Sequence, residues 1–265
     1  MNIFLRELRA HYKGLIGWSI GMIFLVVVGT AKYSALSSNG QTPTKLLDVL
    51  PKPFLAVLGF QGLDINTIVG YFGALYLYIV LMATIHAAMI GAEVISKEER
   101  DRTSEFLYPK PATRANIITQ KLLAALANVL ILNIITLTSS ILIVAAFAHN
   151  YSNTPAIMAL IGGLLFMQLL FLALGAALAG LFKNPKLPST VATSILLGTY
   201  IIWVVIDLNS NLNLLKYITP FEYFDASAII KAGHLDPFYM ILSAVIFVVL
   251  ITTTYVSFNR RDLKV

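Results

Sequence analysis

Six long apolar stretches, separated by short polar breaks, set the pattern of this chain: residues 15–33, 67–91, 117–147, 156–182, 189–206 and 238–258. An apolar helix of about 20 residues, rising 1.5 Å per residue, crosses a hydrocarbon layer roughly 30 Å thick. Lipid offers no hydrogen-bond partners, so a crossing segment is a helix or part of a closed barrel, and these stretches lack the ten-residue alternation of barrel strands. The pattern therefore predicts an all-α membrane protein with six transmembrane helices. The third stretch, about 30 residues long, is expected to tilt or to project from the bilayer.

The polar breaks differ from one another. Residues 1–13 place Ile3, Phe4 and Leu8 on one side of a helix and Arg6, Arg9 and Lys13 largely on the other, which predicts an interfacial helix lying among the headgroups. No small-residue cleavage site follows, so the first stretch is expected to be a retained span. Residues 34–66 contain Pro43, Pro51 and Pro53 and an apolar piece, Phe54–Phe60, too short to cross; they predict an external loop with one or two interfacial helices. A polar turn at 149–154 precedes Pro155, a residue suited to the first turn of a helix. Residues 183–188 form a short break with two lysines and two prolines, and residues 207–237 mix polar and aromatic positions. No internal repeat divides the chain, and a single membrane domain, 1–265, is the economical reading.

Composition agrees with the pattern. The 265 residues are 58% hydrophobic and 12% charged, where soluble domains carry roughly a quarter charged residues. Mean hydropathy is +0.80. Cysteine is absent, which excludes disulfides and thiolate metal sites. The net charge of +6 raises the question of nucleic acid, but the cations flank the apolar stretches, where they orient a protein in a membrane. Fourteen of the 19 basic residues fall on the side that holds both termini, the 92–121 break and the 183–188 break. That side is expected to be cytoplasmic, in a multi-pass protein of the cytoplasmic membrane with no nucleic-acid partner.

Candidate chemistry inside the spans is sparse. There is no phosphate-binding loop, zinc-protease motif, nucleophile elbow or dinucleotide loop. The four histidines are scattered, so neither a catalytic residue nor a metal site is assigned. His86, seven residues before Glu93, is expected to be neutral and hydrogen-bonded between helices, because one buried group does not make an ion relay. Asn128, Asn133, Gln168 and the group Thr136, Thr138, Ser139 and Ser140 are expected to join helices. Ala176 and Gly180 form a small-xxx-small pair suited to close packing.

The densest charge lies in residues 93–121, between the second and third spans. Glu98, Glu99, Thr103, Glu105, Phe106, Leu107, Pro111, Arg114, Ile117 and Lys121 resemble the signature of ABC type-2 exporter permeases, with Arg102 where that family often has glycine. A second segment, Ile218–Asp225, is similar to a proline-aromatic motif that these permeases carry between their last two spans. The resemblance implies a cytoplasmic coupling helix within Glu98–Arg114 that docks on a separate ATP-binding cassette protein. Glu98, Glu99, Thr103, Glu105, Phe106, Leu107, Pro111 and Arg114 would carry that contact, with Lys183 and Lys186 forming a smaller one. Phe106, Leu107 and Tyr108 would be an apolar anchor within a charged rim. It also implies an outer re-entrant segment built from Pro220, Phe221, Glu222, Tyr223, Phe224 and Asp225.

The function so implied is ATP-driven export of a hydrophobic or amphipathic substrate, such as a drug, lipid or peptide. The partners would be two ATPase copies and a second permease, the same or related. ATP and Mg2+ would bind the ATPase, and the permease would hold no cofactor. A motorless sensor or regulatory subunit, whose cytoplasmic loop binds a signalling partner, is the alternative; a co-purifying ATPase separates the two.

Overall fold

Apolar runs without internal proline propagate as helix, and the computed structural model, which describes residues 3–38, 50–101, 113–148 and 151–259, is built from them. In chain order the helices are α1 (Ile3–Ser38), α2 (Lys52–Val57), α3 (Ile68–Arg100), α4 (Arg114–Ala148), α5 (Thr154–Leu181) and α6 (Leu187–Leu208). A 3-10 helix (Ser210–Tyr217) follows, then α7 (Pro220–Tyr223), α8 (Ala226–Ala232) and α9 (Pro237–Asn259). No strand occurs among the described residues. Six of the helices, α1, α3, α4, α5, α6 and α9, are long and apolar enough to cross a membrane, as the pattern predicts.

The ends of these helices follow local chemistry. The Thr67 side chain accepts a hydrogen bond from the Gly70 amide at 3.0 Å and so caps α3. Pro155 and Pro188 sit in the first turns of α5 and α6, where a missing amide proton costs nothing. Gly233, with φ of 74°, closes α8 in the left-handed conformation.

Two boundaries depart from the pattern. Residues 3–38 form one unbroken helix, so the segment expected to be a separate interfacial helix continues directly into the first span. At 1.5 Å per residue its 36 residues reach roughly 54 Å, well beyond the hydrocarbon layer. Likewise α3 runs on to Arg100, nine residues past the end of its apolar stretch. The reason is the same in both places: charge marks where the bilayer ends, but only glycine, proline or a competing cap ends a helix, and Ala92–Tyr108 contains neither glycine nor proline.

Helices α3 and α5 form the centre of the bundle. In each, 61% of the most apolar window is buried, against 22% for α1, 28% for α6 and 17% for α9. Their crossing is close: Gly91 faces the Leu172 carbonyl and Gly175 faces the Ala88 carbonyl and the Ala92 amide, leaving no room for a β-carbon at either glycine. The tight contact thus falls on Gly175, next to the small pair expected at Ala176 and Gly180, while Gly180 faces Ser257 and Thr254 of α9. Around this pair α4 packs on α1, α9 packs on α5, and α6 packs on α3.

The long helices alternate in direction. One end of the bundle gathers the start of α1, the end of α3, the start of α4 and the end of α9, joined by Arg6 to Glu98, Lys121 to Glu98, and Arg114 to the Asn259 carbonyl. The opposite end holds α2, the 3-10 helix, α7 and α8. There Tyr33 bonds the Asn66 carbonyl, Tyr200 the Val57 carbonyl and Ser227 the Gly62 carbonyl.

Candidate functional site

At the charged end, carboxylates are buried and each has a cation. Glu7 of α1 is wholly buried. It accepts from Arg6 at 2.8 Å and from Lys97 of α3 at 3.4 Å, and His11 stands 3.9 Å away. Arg6 also reaches Glu98 at 3.1 Å. The other oxygen of Glu98 receives the ammonium of Lys121, which also donates to the Val94 carbonyl at 2.6 Å. Lys121 is 1% exposed. Taking such an ion out of water costs several kcal/mol unless opposite charge and hydrogen bonds meet it, and here both do. The network fastens α1, α3 and α4 together where α3 ends and α4 begins.

The residues expected to contact an ATPase are placed unequally around this network. Glu98 is buried and committed to Lys121 and Arg6, so it braces the segment from within. Glu99 is half-buried. Arg114 is exposed and donates to the Asn259 carbonyl at 3.3 Å. Lys183 and Lys186 are exposed on the short turn between α5 and α6, where the Asn184 side chain accepts from the Lys186 amide at 3.1 Å. Thr103, Glu105, Phe106, Leu107 and Pro111 lie outside the described residues, as does Arg102.

Within the bundle, one expected polar bridge joins helices: Asn133 of α4 donates to Gln168 of α5 at 2.9 Å. Asn128 bonds the Ala124 carbonyl of its own helix, as Thr136 does Leu132 and Ser139 does Thr136. A carbonyl three or four positions back is always in reach of a short polar side chain, but the Asn128 Oδ1 and the Ser140 hydroxyl have no partner among the described residues. His86 also departs from expectation. It packs against Trp18, ring centroids 5.4 Å apart, and its Nδ1 has no hydrogen-bond partner among the described residues.

The opposite end holds a partly open cavity of about 280 Å³ lined by α3, α5, α6, α7, the start of α8 and, ahead of α3, Gly59, Gln61, Gly62 and Leu63. Pro220 opens α7, and Thr219 before it bonds the Thr199 carbonyl of α6 at 2.8 Å. Phe221 and Phe224 are buried; Phe224 stacks on Phe166 of α5 at 5.6 Å and Phe221 lies 6.4 Å from Phe171. Tyr223 bonds the Tyr217 carbonyl, and burial together with neighbouring Tyr239 pushes its phenol up to about 12. These contacts turn Glu222 and Asp225 to the cavity, where Asp207 of α6 joins them. Asp225 accepts from the Ala228 amide at 2.9 Å and caps α8. Burial, with Asp225 and Asp207 nearby, holds the Glu222 carboxyl above the usual range. Burial likewise raises Asp225, in spite of its bonds to the Ala228 and Ser227 amides.

Sequence reasoning assigned no role here to Asp207, Tyr76 or Trp203, although a carboxylate closing an apolar span is a visible signal. It also read Lys121 only as part of a motif and Glu7 not at all; an acid flanked by Arg6 and Arg9 at the start of a helix was the available sign. No group of three histidine, aspartate or glutamate side chains fit to hold a metal exists among the described residues.

No curated protein matches the chain. The family model described as ABC-2 family transporter protein matches residues 1–263, and with the six apolar helices this gives the identity that the architecture supports: the chain belongs to the ABC-2 transporter family and is a multi-pass transmembrane transport subunit.

Proposed function

We propose that this subunit is the permease of an exporter in the cytoplasmic membrane, powered by two copies of a separate ABC ATPase and paired with a second permease of the same or a related kind. Membership of the ABC-2 family implies an ABC ATPase partner; the direction of transport, the copy number and the pairing are our reading. The observation that carries it is the buried network of Glu7, Glu98 and Lys121. A loop that merely joins two spans needs no such brace, whereas a lever that transmits force does. Both legs of the 102–112 segment are fixed to each other and to α1, so displacement of that segment moves α1, α3 and α4 as a unit.

In this mechanism ATP and Mg2+ act in the partner, and the permease binds no cofactor. Closure of the ATPases pushes Glu99, Thr103, Glu105, Phe106, Leu107, Pro111 and Arg114 on one side and Lys183 and Lys186 on the other, with Glu98 bracing the stem. Helices α1, α3 and α6 then tilt at the permease pair's interface and release a hydrophobic or amphipathic cargo outward. Exposed Ile16, Ile20 and Phe24 on α1 and Ile195, Leu197 and Ile201 on α6 offer the apolar surface that such a pairing covers. Both termini face the cytoplasm in this arrangement.

The test is reconstitution of the permease with its ATPase. Replacing Glu105 and Phe106 by alanine is expected to abolish substrate-stimulated ATP hydrolysis while membrane insertion and thermal stability stay as in the native protein. Undiminished stimulation would sink the coupling assignment.

A further inference from the structure

Between α1 and α3 runs a slot of about 490 Å³. Its lining residues recur every three or four positions on α1, from Gly21 to Lys32, and on α3, from Tyr71 to Met82, so each helix gives it one face. The two helices touch along its floor. A β-carbon at Gly21 would meet Met82 at 2.6 Å, and one at Gly29 would meet Leu75 at 2.5 Å. Phe24 and Tyr78 line the slot while 67% and 37% exposed, so it opens at the side of the bundle.

Its length and its polarity are independent observations, and they agree. From Gly21 to Lys32 α1 rises about 16 Å, close to the roughly 15 Å of hydrocarbon in one leaflet. Apart from Lys32 and the phenols of Tyr71 and Tyr78 the lining is apolar. Lys32 stands at the end where Tyr71 lies 5.3 Å from Tyr33, whose hydroxyl bonds the Asn66 carbonyl ahead of α3. It is exposed there, and it has neither an ion pair nor a hydrogen bond among the described residues. The slot is thus a one-leaflet channel for hydrocarbon with an unanswered cation at its surface end.

We propose that this slot holds a resident anionic phospholipid, one acyl chain laid between α1 and α3, its phosphate met by Lys32 and its ester carbonyls by the Tyr71 hydroxyl. Each feature selects for that occupant. The length and the apolar walls suit an extended chain. A neutral lipid leaves Lys32 without a counter-charge, whereas a basic group between membrane helices attracts an anionic headgroup. A second copy of this chain is a poorer match, because the surface assigned above to pairing is apolar and brings no carboxylate to Lys32. Phe24 belongs to that surface too, so in a paired permease the lipid lies in the seam. Its residence depends neither on the pairing nor on the direction of transport.

Native mass spectrometry of the permease–ATPase complex, released from nanodiscs of phosphatidylcholine and phosphatidylglycerol in equal parts, tests the site. The native complex is expected to retain phosphatidylglycerol in preference to phosphatidylcholine. K32Q, a change at an exposed position that leaves the fold alone, is expected to reduce that preference roughly fivefold, the scale of one basic residue at a lipid surface. V28W fills the slot and is expected to abolish retention of both lipids, with the melting temperature of the delipidated complex unchanged. I241W, on the exposed face of α9, is expected to retain lipid as the native protein does. Undiminished retention in V28W, or the native preference in K32Q, overturns the proposal. The chain has no cysteine, so F24C introduces a single thiol. A disulfide between two copies of F24C, in complexes that hold no lipid, gives the slot to a second copy and overturns the proposal as well. The exporter reading survives each of these results, because none of the variants touches the coupling segment.

Discussion

The two ends of this bundle each gather carboxylates, buried at one end and partly open to solvent at the other. At the charged end Glu7 and Glu98 are met by Arg6, Lys97 and Lys121. At the opposite end Asp207 is exposed and Glu222 and Asp225 are half-buried around the cavity, with Lys216 and Lys231 acting on Glu222 and Asp225 without a direct ion pair. A matched cluster is complete, and its consequence is rigidity. An unmatched one leans on solvent and distant cations, and its consequence is a Glu222 carboxyl held above its ordinary range. The same residue types therefore lock helices together at one end and stay open to protonation at the other.

The largest effect expected from this contrast is at Lys121. Lys121→Met leaves Glu98 with Arg6 alone and removes the cation that binds α4 to α3. Breaking a buried pair from one side costs about 3–5 kcal/mol, because the charge left behind is uncompensated. The melting temperature of the purified protein should fall accordingly. Adding Glu98→Leu should restore most of the loss, since an apolar pair tolerates the site better than a lone charge. A K121M protein as stable as the native one would mean that the network braces nothing.

The next effect lies between the two ends, where α3 crosses α5. Gly175→Ala would drive a β-carbon into the Ala88 carbonyl and the Ala92 amide, both backbone atoms that cannot step aside. Overpacking of this kind costs about 1–3 kcal/mol. The melting temperature of the purified variant should fall, by less than for K121M. A G175A protein as stable as the native one would show that the crossing of α3 and α5 has room to spare.

How much of this is legible in the amino-acid sequence follows from where each signal lives. The six crossings are visible because the bilayer imposes length and apolarity on a contiguous stretch, so span and fold share one code. The ends of α1 and α3 are not, because Arg6 to Lys13 and Glu93 to Arg100 mark the bilayer surface without breaking the helix. The segment from Pro220 to Asp225 can be singled out from its order of residues. What it faces cannot, since only folding brings Tyr76 of α3 and Trp203 and Asp207 of α6 to one cavity. Glu98 shows the same limit: its motif position suggests a contact with a partner, whereas its burial against Lys121, 23 residues on, depends on how α3 and α4 return to one another.

The smallest effect has the sharpest sign. Folding holds the Glu222 carboxyl above its ordinary range through burial and the charges of Asp225 and Asp207, with Lys216 opposing. Between the ordinary and the raised value the folded protein binds more protons than the unfolded chain, so stability falls as pH rises through that window. Above it the penalty is fully present. Glu222→Gln removes the penalty and should therefore stabilise the protein at neutral pH, by less than about 1 kcal/mol because the group is half-exposed and screened. The gain should vanish once the pH drops below the ordinary carboxylate range, where the native side chain is protonated in both states. Glu98→Gln should act with the opposite sign at neutral pH, because it takes a partner from Lys121 and Arg6. Melting curves of the two variants at several pH values give the comparison directly: if both shift stability the same way at neutral pH, the distinction between a matched and an unmatched cluster fails.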